Sequence, residues 1–222
     1  FFVTQSSFKY IFAGYLLAFV AYALILWIVH WKKSYSIADW KIFLIAGIAI
    51  RIILLFAFRA LSDDIYRFIW DGRLITQGIH PLTFLPAEII EGNYSINGLT
   101  HFLFAELNSP NYYTIYPPFA QLVFAMSTWI WPGSIFSSMF YMKVFLIIGE
   151  GVGIYYIIRL LAILKLPHYF VLFYWLNPLV IVEIMGNMHF EGWMIAWLMM
   201  SLYLLLNKRS PWGWLLVLSY CL

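Results

Sequence analysis

The chain has 222 residues, 64% of them hydrophobic, 21% aromatic and 10% charged, with a net charge of +3. A soluble domain carries roughly a quarter charged residues, so the composition excludes an ordinary water-soluble fold and leaves no basic surface for a nucleic-acid partner. The lone cysteine, Cys221, excludes an internal disulfide framework and any zinc site built on several thiolates.

In chain order, Tyr10–Trp31 is apolar throughout and ends in Trp27, His30 and Trp31, an interfacial aromatic pattern. It lacks the basic flank and small-residue site of a signal peptide. Lys32, Lys33, Asp39 and Lys41 form a short polar connection to a second span, Ile42–Leu61. Near the middle of that span, Arg51 would cost about 2.5–3.5 kcal/mol to insert unless paired. Glu150 and Glu183, within later spans, are its obvious partners. Phe119–Trp131 is apolar but short, and stops at Trp131-Pro132-Gly133, which suits a re-entrant or interfacial helix or a short tilted span. Met139–Leu164, His168–Met185 and Gly192–Leu206 are further candidate spans. Lys143 can snorkel, and Gly149-x-x-x-Gly153 reads as a helix-packing notch. The chain starts without methionine and ends on eleven apolar residues, Trp212–Leu222, where about twenty are needed to cross. The expectation is one membrane domain over 1–222, cut at both ends.

Orientation follows the basic residues. Lys32, Lys33 and Lys41 are cytoplasmic by the positive-inside rule, which sends the second span outward. The loop 62–118 then holds Asp63, Asp64, Asp71, Glu88, Glu91 and Glu106 against Arg67 and Arg73, six of ten acids and two of thirteen bases. It is expected to be extracytoplasmic. If Phe119–Trp131 does not cross, Arg159, Lys165, Lys208 and Arg209 all fall inside. The turn Asn187-Met188-His189-Phe190-Glu191 then falls outside, on the face of the acidic loop.

A loop this long is usually functional or carries helices of its own. Asp64–Thr76 has helical content, with Ser62 or Asp63 as cap and Gly78 as stop. Its apolar and polar faces predict a short amphipathic helix lying along the membrane surface. Pro117-Pro118 forbids helix through Tyr116 and favours helix onset after it. An acid pair before a helix is ordinary capping taken alone, and Asp63 is also placed to pair with Arg59. The neighbourhood raises a functional reading. Two carboxylates at a membrane boundary, beside Arg67, Asp71 and Arg73, supply a general base and guanidinium forks for phosphate where a lipid head group would lie. His189 and Glu191 are candidate contacts to substrate or lipid phosphate. A divalent metal held by His189, Glu191 and the Asp pair is an open alternative that no i, i+4 His pair or other ligand spacing supports, and no other cofactor is called for.

The run Asp63-Asp64-Ile65-Tyr66-Arg67-Phe68-Ile69-Trp70-Asp71-Gly72-Arg73, followed by Gly78-Ile79-His80-Pro81 and Tyr116-Pro117-Pro118, resembles the GT-C superfamily of membrane glycosyltransferases. It is most similar to the bacterial polyprenol-phosphate-mannose-dependent mannosyltransferases, over about 59–125, with a weaker echo at 187–191. The resemblance implies an all-α polytopic transmembrane bundle whose long extracytoplasmic loop carries short interfacial helices. It also implies a multi-pass enzyme of the bacterial plasma membrane with its site on the extracytoplasmic side. A polyprenyl-phosphate-sugar donor, with mannose as the implied sugar, would pass its sugar with inversion to a hydroxyl of a glycan or glycolipid acceptor. Asp63 or Asp64 would be the catalytic base; Arg59, Arg67, Asp71, Arg73, Tyr116, His189 and Glu191 would surround substrate and lipid phosphate. The acidic loop usually follows the first span in that superfamily, whereas two spans precede it here. A competing reading is a transporter or lipid flippase using Arg51, Glu150 and Glu183 as a polar pathway. A non-catalytic membrane subunit is a third.

Overall fold

A computed structural model describes residues 8–31, 37–57 and 62–207. Arg59, Lys32, Lys33, Lys208, Arg209, Cys221 and the segment 212–222 lie outside the described residues. Among those described, every regular element is helical. The helices are α1 (Phe8–Trp31), α2 (Ile37–Leu55), α3 (Asp64–Thr76), α4 (Pro86–Glu91), α5 (His101–Ala105), α6 (Pro118–Ile130), α7 (Ile135–Ile163), α8 (Leu172–Trp175), α9 (Pro178–Ile181) and α10 (Glu191–Leu206). Two compact units emerge, one of 1–60 with 146–222 and one of 61–145, so the division falls within α7.

In the first unit, α1 is 24 residues long with a mean hydropathy of 2.3 over its best window, and Val29 is its one buried residue. Such a helix cannot be stable with its flanks in water, and it is long enough to cross a bilayer. α7, at 29 residues, is the other single helix that is long and apolar enough. The segment His168–Gly186 makes a third crossing if its halves count as one, bent by 55° at the break before Pro178. Asn177 caps the second half, its side-chain oxygen accepting from the Leu179 N–H. The expected second span begins earlier and ends earlier than its hydropathy suggested, as α2. Carrying Asp39, Lys41 and Arg51, it is not among the helices apolar enough to count as a span.

The Arg51 charge in α2 is met internally. Arg51 is 1% exposed and grips Glu150 of α7 with two bonds, Nε to Oε2 at 2.8 Å and Nη2 to Oε1 at 2.6 Å. Its Nη1 donates to the carbonyls of Gly47 and Trp175, and its guanidinium lies 3.5 Å from the Trp175 ring centroid. Gly47 permits this approach, because a Cβ there would run into the Trp175 indole. Gly149 likewise abuts the Trp193 indole, and Gly153 the backbone of Ala196, so the expected glycine notch does receive α10. The core of this unit gathers Val29, Trp40, Leu161, Val171, Leu172, Trp175 and Leu176.

The second unit is built on α3 against α6. Phe68 and Phe124 stack with centroids 4.4 Å apart, and Tyr116 closes edge-on at 4.8 Å from Phe68. Gly72 backs onto the Phe124 carbonyl, where a Cβ would not fit. α6 starts at Pro118 with Pro117 as its cap residue, as the Pro-Pro step dictates. Lys143 does not snorkel; it is fully buried.

Candidate active site

α3 begins where the sequence places it, at Asp64, and runs to Thr76, but its setting is different. Every residue from Ile65 to Leu74 is buried. It is a core helix of the second unit, without the solvent-facing polar side that its sequence suggests. The correction has a physical reason. Arg67 and Arg73 donate to carbonyls of distant loops and Asp71 is held by Arg67 and by Gln121 of α6, so burial leaves few of their polar atoms without a partner.

Arg67 donates from Nε to Asp71 Oδ1 at 2.9 Å, one helical turn on, and from Nη1 to the carbonyls of Ser109 and Tyr112 at 3.0 and 2.9 Å. Asp71, at 0% exposure, accepts from Gln121 Nε2 on its other oxygen at 3.1 Å, and the same amide reaches Thr114 Oγ1 at 2.8 Å. Burial pushes the Asp71 carboxyl above the usual range, against the opposing pull of Arg67, Thr114 and Gln121. Arg73 donates from Nη1 to the Gly98 carbonyl and from Nη2 to that of Pro132 at 2.7 Å. Its buried Nε has no acceptor among the described residues, and burial pulls the guanidinium below its usual range. Arg67, Asp71 and Arg73 therefore brace the loop internally. Tyr116, half-buried, does the same through its ring.

The two acids at the head of α3 differ from these. Asp63 occupies the N-cap position, is exposed, and makes no capping bond through its side chain. Ser62 takes over that task, its Oγ accepting from the Asp64 N–H at 3.2 Å. The same hydroxyl donates to Asp64 Oδ2 at 2.8 Å, while Asn108 Nδ2 donates to Oδ1 at 2.7 Å. Asp64 is thus fixed on both oxygens, beside an exposed neighbour. The geometry offers one oriented carboxylate and one accessible carboxylate at the positive end of a helix dipole. Asn108 and Thr114 belong to a polar-aromatic run, 108–118, whose amides and hydroxyls suit sugar binding and equally a membrane–water interface, while Gln121 gave no signal in the sequence.

His189 and Glu191 lie in the first unit. His189 Nδ1 stands 3.2 Å from Glu183 Oε2, which also accepts from Asn187 Nδ2 at 3.0 Å, and Glu191 opens α10 in an exposed position. The segment Val182–Gly186 is a π-turn, and Met188 follows with φ of 64°, a left-handed conformation uncommon outside glycine. Among the described residues, no three His, Cys, Asp or Glu side chains gather as a metal-ligand set.

Compared with known families, residues 3–220 match the profile of the MptA_B family, described as alpha-(1->6)-mannopyranosyltransferase, N-terminal domain. No curated protein and no solved structure matches the chain.

Proposed function

This chain belongs to the MptA_B family of alpha-(1->6)-mannopyranosyltransferases, and from that premise we propose that the head of α3 is where mannosyl transfer takes place. The acceptor hydroxyl oxygen attacks the anomeric carbon as the bond from that carbon to the lipid-phosphate oxygen breaks. The phosphate leaves with the bonding pair, and the hydroxyl proton passes to a carboxylate. The observation that carries this reading is the pairing of an exposed Asp63 with an Asp64 clamped by Ser62 and Asn108. Asp63 is the base, and Asp64 orients the attacking hydroxyl.

An alpha product formed by a single inverting displacement requires a beta-linked donor, and a polyprenyl-phosphate mannose supplies it on the extracytoplasmic face. Of the cations expected to attend the leaving phosphate, Arg67 and Arg73 already serve loop carbonyls. That leaves Arg59, outside the described residues, as the better choice among the three.

The test is transfer of radiolabelled mannose from polyprenyl-phosphate-mannose in membranes holding the protein. Asp63→Asn should lower kcat by about 10²–10⁴-fold with unchanged protein level and a nearly unchanged donor KM. Retained transfer in both Asp63→Asn and Asp64→Asn would overturn the assignment. Transfer from a sugar nucleotide in lipid-stripped preparations would overturn the donor class.

A further inference from the structure

At the opposite end of α3 from the acid pair, the second unit contains a cleft of about 300 Å³. Its walls come from Arg73, Thr76 and Gln77 of the last turn of α3 and the residue after it, from Asn97, and from Trp129 and Gly133. The wall is organised. Gln77 is locked to Asn97 by a reciprocal pair, Nε2 donating to the Asn97 carbonyl at 2.7 Å and Oε1 accepting from the Asn97 N–H at 3.0 Å. Gly98 adopts φ of 83° and brings its carbonyl to Arg73, with no room there for a side chain that would not press on the Arg73 stem.

Two features select the ligand. The cleft takes its α3 wall from the carboxyl end of a helix, whose dipole disfavours an anion. Its one cation, Arg73, already serves two carbonyls and keeps an Nε–H without an acceptor. The other side chains lining it are uncharged and of mixed character: an exposed indole (Trp129, 73% exposed), an exposed carboxamide (Asn97) and Thr76, whose hydroxyl donates to the Arg73 carbonyl at 2.9 Å and keeps its acceptor lone pairs. A flat aromatic surface with a few polar groups suits a neutral polyol ring, apolar on its C–H face and hydrogen-bonding at its rim. The volume is at the small end for ligand sites, the scale of one ring.

Resting on the transferase reading above, we infer that this cleft is an acceptor-glycan subsite, holding one hexose of the acceptor chain away from the reacting hydroxyl. Asp64 and Arg73 are nine residues apart on one helix, about 14 Å along its axis. A ring bound in the cleft is therefore not the ring that reacts at Asp64. The subsite would make the enzyme prefer extended acceptors.

Gly133 provides the probe, because open space lies where its side chain would point and its φ is not in the left-handed region. Gly133→Leu would add an isobutyl group at the wall of the cleft. In the full chain, binding of an α-1,6-linked mannotetraose is measured by calorimetry, and KM for the tetraose is compared with KM for methyl mannoside. Gly133→Leu and Trp129→Ala should each weaken tetraose binding and raise its KM about tenfold relative to the methyl mannoside reference, the usual weight of one aromatic anchor. If Gly133→Leu fails to fold, the exposed Trp129 and Asn97 carry the test as Trp129→Ala and Asn97→Ala. Unchanged tetraose binding in the folded variants overturns the subsite, whatever happens to transfer. Displacement of the tetraose by inorganic phosphate or phosphatidate vesicles also overturns it, in favour of an anion site. Loss of tetraose binding in the variants of a chain that transfers no mannose would uphold the subsite and sink the transferase reading instead.

Discussion

Arg67 and Arg73 face the same physical problem, a guanidinium inside a packed helix, and solve it with backbone carbonyls from loops far along the chain. Asp71 is the residue whose state depends most on that environment. Its carboxyl is held above the usual range by burial, so the folded chain holds its proton more tightly than the unfolded chain does. The sign follows. This group's contribution to stability is full below the ordinary aspartate range and is lost as pH rises through the raised value. Asp71→Asn should remove that part of the pH dependence, while keeping the side chain's shape and a hydrogen bond from Gln121 or Arg67. Unfolding midpoints in detergent, followed from pH 4 to 8, should therefore fall less with rising pH in the variant than in the parent. Parallel profiles would show that Asp71 stays ionised throughout.

Packing between elements is set by small residues at close approaches. Gly72 touches the backbone of α6 at Phe124, so Gly72→Ala must push α3 away or distort it, at about 1–3 kcal/mol. A lowered thermal midpoint for Gly72→Ala, with no such loss for Gly133→Ala, checks this. The ends of α3 were legible in the sequence, through the acid pair, the helical run and Gly78, which takes φ of 76° just past the helix. The burial of α3 was not legible. Two arginines and two aspartates in thirteen residues read as a wet face, and the carbonyls that satisfy the arginines leave no mark on side-chain chemistry. Hydropathy found the ends of α7 and α10 to within a few residues but ran α2 too long, because apolar residues continue past Leu55 where the helix stops. Arg51 and Glu150, one of two partners the sequence offered, satisfy each other so fully that a transport pathway through them lacks support. Arg51→Met alone should cost about 3–5 kcal/mol by stranding a buried carboxylate, and adding Glu150→Met should recover most of it. Mannosyl transfer surviving in the double variant would separate a structural ion pair from a working one.

At the scale of the whole molecule, the proposed lipid donor depends on sidedness. By the positive-inside rule the stretch 62–118, with its excess of acids over bases, is expected outside, and the far end of α7, with Arg159 and Lys165, inside. That arrangement needs α6, thirteen residues long and too short for an untilted crossing, to stay on one side. If α6 crossed instead, the acidic loop and the end of α7 would share a face. The lone cysteine makes the distinction accessible, because Cys221→Ser leaves a background free of thiols. Ser95 and Leu166 are both exposed, in the acidic loop and just beyond α7 respectively. In that background, Ser95→Cys should react with a membrane-impermeant maleimide in intact cells, and Leu166→Cys only after permeabilisation. Labelling of both from outside would make α6 a crossing helix. Labelling of Leu166→Cys alone would invert the chain and put Asp63 and Asp64 on the cytoplasmic face, within reach of a soluble sugar nucleotide in place of an extracytoplasmic lipid-linked donor.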